Sequence, residues 1–286
     1  MSKISIVTDT DSSLPDSVAS KYGILQVPIA IHFGEECYET GVNITDEKLF
    51  ERVDKESKLP TTAAPTPGNF AEAFKKAFAQ DQSEELICFC ISSSMSATLE
   101  SAQIAARDIL PEKKITVIDT QTLSMAQGYM AIAAAEAIAE GASAGQAIAA
   151  AIAVRERSHV YGALATLKYL SMSGRVSQVA AGMAGMLDIK PILSVQNGKL
   201  EMLEKVRTRK KAWGRLVELV RTDAQASRIE KLTVIHVAAL NEAREFETLL
   251  RENIDCPDEI LIAAVTPGLS VHTGAGLVGA VFITEK

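Results

Sequence analysis

The sequence predicts a two-domain α/β protein: an N-terminal three-layer α/β/α domain on a parallel sheet, then a C-terminal two-layer α/β domain on a mixed sheet. Three observations carry this. Up to about residue 157, short apolar runs alternate with helix-period segments, the pattern of parallel βαβ units. Beyond it, Asn197-Gly198 joins two strand-like runs, the strongest short hairpin signal in the chain, and a hairpin implies antiparallel pairing. A length of 286 residues also exceeds that of an ordinary single domain. The expected domains are therefore 1–157 and 158–286.

Element by element, ISIVTDTD is a buried strand ending in polar residues, and a short helix follows from about Pro15 to Lys21. ILQVPIAIHF reads as the next strand. Thr45 caps a helix beginning DEKLFERVDKE, whose acids suit the positive end of the helix dipole. In FAEAFKKAFAQ, Phe70, Phe74 and Phe78 share one helical face. LICFCIS is a strand, SATLESAQIAARDIL a helix and KITVIDT a strand. Residues 122–157 hold two alanine-rich helices broken at EGASAG, where Ser143 caps the second. In the second half HVYGALAT is a strand, and LKYLSMSGRVSQVAAGMAGML forms two short helices around Gly174. KPILSVQ and KLEMLEKV are the hairpin, ahead of a helix from about Arg209 to Ala224. KLTVIHVA, EAREFETLLREN, EILIAAV and GLVGAVFI close the chain as strand, helix, strand and strand, with the helices on one face of the sheet.

Ile260 to Thr284 contains no Asp, Glu, Lys or Arg and is long enough to span a bilayer. Pro267, His272 and the glycines favour a strand, a buried loop and another strand instead. A net charge of −7 without a basic tail argues against nucleic acid or an anionic membrane as main partner, leaving at most transient membrane contact. The four cysteines, 37, 88, 90 and 256, fit neither a zinc knuckle nor a disulfide framework, and MSKISIVTDTD has no signal-peptide core. A cytoplasmic protein is expected.

Motifs of common enzymes are missing. GAGLVG (274–279) has the dinucleotide spacing but precedes a strand, so close backbone packing explains its glycines better. There is neither a P-loop nor a G-x-S-x-G elbow. His32, His159 and His236 sit inside strands as structural histidines, no metal spacing occurs, and no cofactor or metal is expected. DTDSS (9–13) stands at the carboxyl edge of the first strand, where Asp9 and Asp11 suit Mg²⁺ but capping by Asp11, Ser12 or Ser13 is favoured. The hydroxyl-rich stretches PTTAAPTPGNF and ISSSMSATLESA are the remaining signal. Ser92, Ser93, Ser94 and Ser96 lie ahead of a helix, and Thr61 and Thr62 lie in a proline-restrained loop. On the residues alone, anion binding and plain capping both stand.

Taken in order, IVTDTDSSLP, PTTAAPTPGNF, ISSSMSATLESA, LKYLSMSGRVS, MLDIKPILSVQNGKL, KVRTRKKA and HTGAGLVG resemble the DegV family nearly end to end. The resemblance implies a protein that binds a long-chain fatty acid between two α/β domains. The first domain would carry the carboxylate site and the second would cover the acyl chain. It implies that Thr62 and Ser93 hydrogen-bond the fatty-acid carboxylate, with His272 close by and Thr61 and Ser94 as neighbours. Ala63, Ala64, Ala97 and Leu99 stand where the family has Ser, Gln, Gly and Tyr, which makes the site less polar or more crowded. Burying about fourteen methylenes at ~0.8 kcal/mol each contributes on the order of 11 kcal/mol, so the tail supplies affinity and the hydroxyls orientation. The resemblance further implies a non-catalytic subunit that presents the acid to an ATP-dependent kinase for acyl phosphate formation, with Arg175 and Arg207 engaging that kinase. The rival readings are a hydrolase or metal-dependent phosphotransferase using Asp9, Asp11 and the serines, and an oligomeric structural protein.

Overall fold

The computed structural model describes residues 3–173 and 189–286. Along the chain these form β1 (Ile4–Asp9), a 3-10 turn (Thr10–Ser12), α1 (Asp16–Lys21), β2 (Ile24–Val27), β3 (Ala30–Phe33), β4 (Glu36–Glu39) and α2 (Asp46–Glu56). Next come β5 (Thr61–Ala63), α3 (Pro67–Asp81), β6 (Glu85–Cys90), α4 (Thr98–Ile104), β7 (Lys114–Asp119), α5 (Ser124–Ala139) and α6 (Ala144–Glu156). The remainder is β8 (Ser158–Ala163), α7 (Lys168–Met172), β9 (Lys190–Gln196), β10 (Lys199–Val206), α8 (Arg209–Ala226), β11 (Ile229–His236), α9 (Leu240–Asn253), β12 (Ile260–Ala264), α10 (Pro267–Thr273) and β13 (Val278–Thr284). No helix of the described residues is long and apolar enough to cross a membrane.

The chain divides into two compact units: the segment up to Ala30 with Thr62–Glu156, and Ile31–Thr61 with Arg157–Lys286. The third crossing, after Glu156, falls where the alternating pattern ends. The sequence reading missed the excursion of 31–61, because it took ILQVPIAIHF as one strand. Pro28 has no amide hydrogen to continue a ladder, and the run breaks there into β2 and β3, which go to different sheets.

The first unit is a parallel sheet in the order β2-β1-β6-β7. The inner strands β1 and β6 are buried along nearly their whole length, as a sheet covered on both faces requires. On one face Phe70, Phe74 and Phe78 of α3 pack with Val7, Leu86, Cys88 and Cys90. On the other, Gln127 of α5 is fully buried and donates to Thr8 Oγ1 at 2.9 Å and to the Phe89 carbonyl at 3.3 Å. α4 is shorter than expected, passing into a π-helical turn over Ala105–Ile109.

The second unit holds a six-stranded sheet in the order β10-β9-β8-β13-β11-β12, antiparallel except for β11 and β12. Asn197 and Gly198 turn the β9–β10 hairpin with φ of 51° and 78°, the two positive values of a type I′ turn. Leu216, Val217 and Val220 of α8 and Phe246 and Leu250 of α9 share one core with Val234, Ala280 and Phe282, placing both helices on the same face. β3 and β4 of this unit are neighbours in a further small sheet. The loop expected near 267–273 is the helix α10, begun by Pro267 in its first turn. Of the helix pair expected around Gly174, α7 is the first; the rest lies outside the described residues.

GAGLVG is accounted for by close approach. Gly274 has φ +81°, and a Cβ on Gly279 would stand 2.3 Å from the Tyr161 carbonyl oxygen of β8. Gly279→Ala should therefore lower unfolding stability by about 1–3 kcal/mol or more in urea titrations, because backbone must move. Gly214→Ala, within α8 with nothing inside 4 Å of its added Cβ, should raise stability by about 0.5–1 kcal/mol in the same assay.

Candidate functional site

The carboxyl edge of the parallel sheet is where ligands of open α/β sheets bind, and here the polar residues gather. β1 ends in Asp9, wholly buried, whose Oδ1 accepts from the Asp11 amide at 3.0 Å and whose Oδ2 accepts from the Ile91 amide at 2.8 Å. Asp9, and not the expected Asp11, Ser12 or Ser13, is thus the capping side chain, and it caps the 3-10 turn rather than α1. Burial pushes the Asp9 carboxyl up to about 6, against the lowering effect of its hydrogen bonds. Asp11 is raised well above the usual carboxylate range by burial and by Asp9 beside it. Such a pair is sealed in protein, and among the described residues no three His, Cys, Asp or Glu groups gather to hold a metal.

The loops after β6 and β7 are fastened to each other. Thr120 donates its amide (3.1 Å) and hydroxyl (2.8 Å) to the Cys90 carbonyl, and the Ser92 amide donates to the Thr122 carbonyl at 3.0 Å. Ser92 opens a tight turn, its carbonyl accepting from the Met95 and Ser96 amides and its Oγ from the Ser94 amide. Ser96 Oγ accepts from the Thr98 amide at 3.3 Å. The serines therefore do not crowd a helix mouth as expected: α4 starts only at Thr98, and Ser92 and Ser96 build the turn before it. Ser93 and Ser94 are the exposed members.

Ser93 carries the main surprise. Its hydroxyl donates to Asp119 Oδ2 at 2.5 Å and its amide to Asp119 Oδ1 at 3.3 Å. Asp119 ends β7 and also accepts from the Gln121 amide at 2.9 Å. The sequence reading did not single out Asp119; an aspartate ending a strand in IDTQT signalled only a turn.

Thr61 is exposed and Thr62 half-buried on β5; by the division above, Thr62 belongs to the first unit and Thr61 to the second. The rest of that loop builds α3. Thr66 and Asn69 form a capping box, with each backbone amide 3.1 Å from the other's side chain, and Pro67 follows the cap. His272 is half-buried in α10 rather than in a loop. Arg207 is exposed after β10, before Thr208 caps α8 through the Lys211 amide. Arg209 of the same basic run lies over Trp213 at 5.0 Å. Arg175 lies outside the described residues. Two of the strand histidines have structural partners: His159 stacks on Phe282 at 4.7 Å with Nδ1 3.0 Å from Asp223, and His236 Nδ1 accepts from the Ala239 amide.

The second unit has its own buried acid. Ser270 of α10 donates to Asp46 Oδ1 of α2 at 2.5 Å, and both are buried.

These features define a two-unit α/β protein with a hydroxyl-lined sheet edge. A family model described as "Uncharacterised protein, DegV family" matches residues 3–285. The chain belongs to the DegV family. A DegV domain-containing protein of Halalkalibacterium halodurans is 32% identical over 286 residues, 100% of both chains. One of Clostridium perfringens is 32% identical over 286 residues, 99% of each. Among solved structures, "Fatty Acid Binding of a DegV family Protein from Thermus thermophilus" agrees with a TM-score of 0.87 at 27% identity, covering 99% of this chain and 100% of that one. DegV of Bacillus subtilis, described as a fatty acid binding protein, agrees with a TM-score of 0.87 at 27% identity over 100% of both chains.

Asp46 yields a prediction about pH. Burial pushes its carboxyl from 3.8 up to about 7, partly offset by the Ser270 hydrogen bond. The folded state thus holds this proton more strongly than the unfolded chain. The resulting stability is fully present below about pH 4 and is lost as pH rises through about 7. Asp46→Asn keeps an acceptor for Ser270 and removes the titration. Unfolding followed between about pH 5 and pH 8 should show a smaller loss of stability in the variant, by on the order of 2 kcal/mol.

Proposed function

We propose that this protein binds one long-chain fatty acid and presents its carboxylate to a separate ATP-dependent kinase, which forms the acyl phosphate. The observation that carries the reading is the whole-length likeness to two structures described as fatty-acid binding. Thr62 and Ser93, at the positions that the resemblance assigns to the carboxylate, both lie in the first unit, and Ser93 is exposed at the carboxyl edge of its sheet. Ser94 belongs to the same turn; Thr61 and His272 keep the assignment that the resemblance gives them. Hydroxyl and amide donors without a cation hold a carboxylate in place while leaving its oxygens nucleophilic, which suits a carrier whose cargo reacts elsewhere.

Expressed in bacteria, the protein should copurify with about one fatty acid per chain, read by mass spectrometry of the denatured extract. An extract without lipid, together with no binding of added palmitate or oleate, rejects the reading. Thr62→Ala combined with Ser93→Ala should weaken palmitate binding about tenfold or more with the melting profile intact, since a hydrogen bond to a charged group is worth about 1.5–3 kcal/mol.

Catalysis is assigned to the partner, and the basic run after β10 is the face proposed to meet it. Arginine pairs its planar fork with carboxylates or a transferring phosphate. Arg207→Ala and Arg175→Ala should keep the copurifying lipid and sharply reduce acyl phosphate formation with a cognate kinase. Unchanged turnover, or lipid and turnover lost together, rejects this division of labour.

A further inference from the structure

Ser93 is assigned to a ligand's carboxylate, yet in the structure it already serves one. Asp119 takes the Ser93 hydroxyl at 2.5 Å and the Ser93 amide at 3.3 Å, and completes its set with the Gln121 amide at 2.9 Å. A hydroxyl donating to a carboxylate makes a charge-assisted hydrogen bond, stronger than one between neutral groups. Among the described residues no Lys, Arg or His forms an ion pair with Asp119, and its hydrogen bonds come from these donors. The arrangement is held from both sides. Cys90 and Asp119 are direct neighbours in the β6–β7 register, and the Cys90–Thr120 and Ser92–Thr122 bonds fasten the two loops beyond them.

A serine hydroxyl has one proton and serves one acceptor at a time. A ligand carboxylate on Ser93 must therefore take that proton from Asp119. The two carboxylates would then flank one oxygen, roughly 5 Å apart by the sum of two such hydrogen bonds. Like charges at that separation oppose one another.

We propose that Asp119 is a built-in competitor for the ligand's carboxylate, holding the Ser93 donors and thereby setting how tightly a fatty acid is bound. The inference rests on the fatty-acid reading and deepens it. Asp119 is a positioning residue that acts through Ser93. Its consequence is a head-group site that exchanges one charged acceptor for another, so that Ser93 orients the acid without adding much to affinity. Moderate affinity for the head group is what a carrier needs if a partner is to take the carboxylate from it.

The test compares palmitate with the alcohol of equal chain length on the parent and on Asp119→Asn, which keeps an acceptor for the Gln121 amide and removes the charge. Palmitate should bind the variant about tenfold tighter, the worth of one hydrogen bond to a charged group, while the uncharged alcohol shows no such tightening. Ser93→Ala should change palmitate affinity little in the parent and cost about tenfold in the Asp119→Asn background. Palmitate binding that is no tighter in Asp119→Asn, or an equal cost of Ser93→Ala in both backgrounds, overturns the competition. If Asp119→Asn does not fold, the parent still decides: competition requires Ser93→Ala alone to cost little there, and a tenfold or greater loss of palmitate affinity in that variant overturns it. A parent that binds no palmitate overturns the fatty-acid reading itself, which the other outcomes leave standing.

Discussion

The carboxylate of Asp9 is the constraint on which the hydroxyl edge depends. β1 and β6 are neighbouring parallel strands, and at their common end the amides that leave the ladder need acceptors. Asp9 supplies them to Asp11 and Ile91, so it sets both the turn after β1 and the direction in which the chain leaves β6. Ser92, Ser93 and Ser94 follow directly, on a backbone that Asp9 aims from below and Thr122 holds from the side. Sealing a carboxylate without a cation is costly, and the upward displacement of Asp9 and Asp11 expresses that cost.

The second unit meets a comparable problem by a different route. Its sheet is mixed, and β13 passes so close to β8 that only glycine fits at position 279. Its helices α2 and α10 meet through one buried acid and one buried hydroxyl, Asp46 and Ser270. Each unit thus buries acid among hydroxyls and amides, and burial raises Asp9, Asp11 and Asp46 above the usual carboxylate range.

The same economy of charge describes the candidate site. The Ser93 hydroxyl and amide hold a carboxylate of the protein's own, that of Asp119, with no cation paired to it among the described residues. Ala63, Ala64 and Leu99, standing where the family pattern has Ser, Gln and Tyr, leave fewer polar side chains in the two hydroxyl-rich segments.

Much of the fold is legible in the chain because its signals are local. The phenylalanine spacing of α3, the caps at Thr45 and Ser143, the Asn197-Gly198 turn and the strand periodicities each depend on residues a few positions apart. The two hydroxyl stretches likewise stood out by composition. What only the tertiary structure decided depends on residues far apart in sequence. Nothing near Ser93 announces that its proton goes to Asp119, twenty-six residues on, since that pairing exists only once β6 and β7 lie side by side. Nothing in GAGLVG names the carbonyl of Tyr161 as the reason for Gly279. The excursion of 31–61 was hidden for a related reason: a short apolar run reads the same whichever sheet takes it, and only packing assigns β2 and β3 to different units.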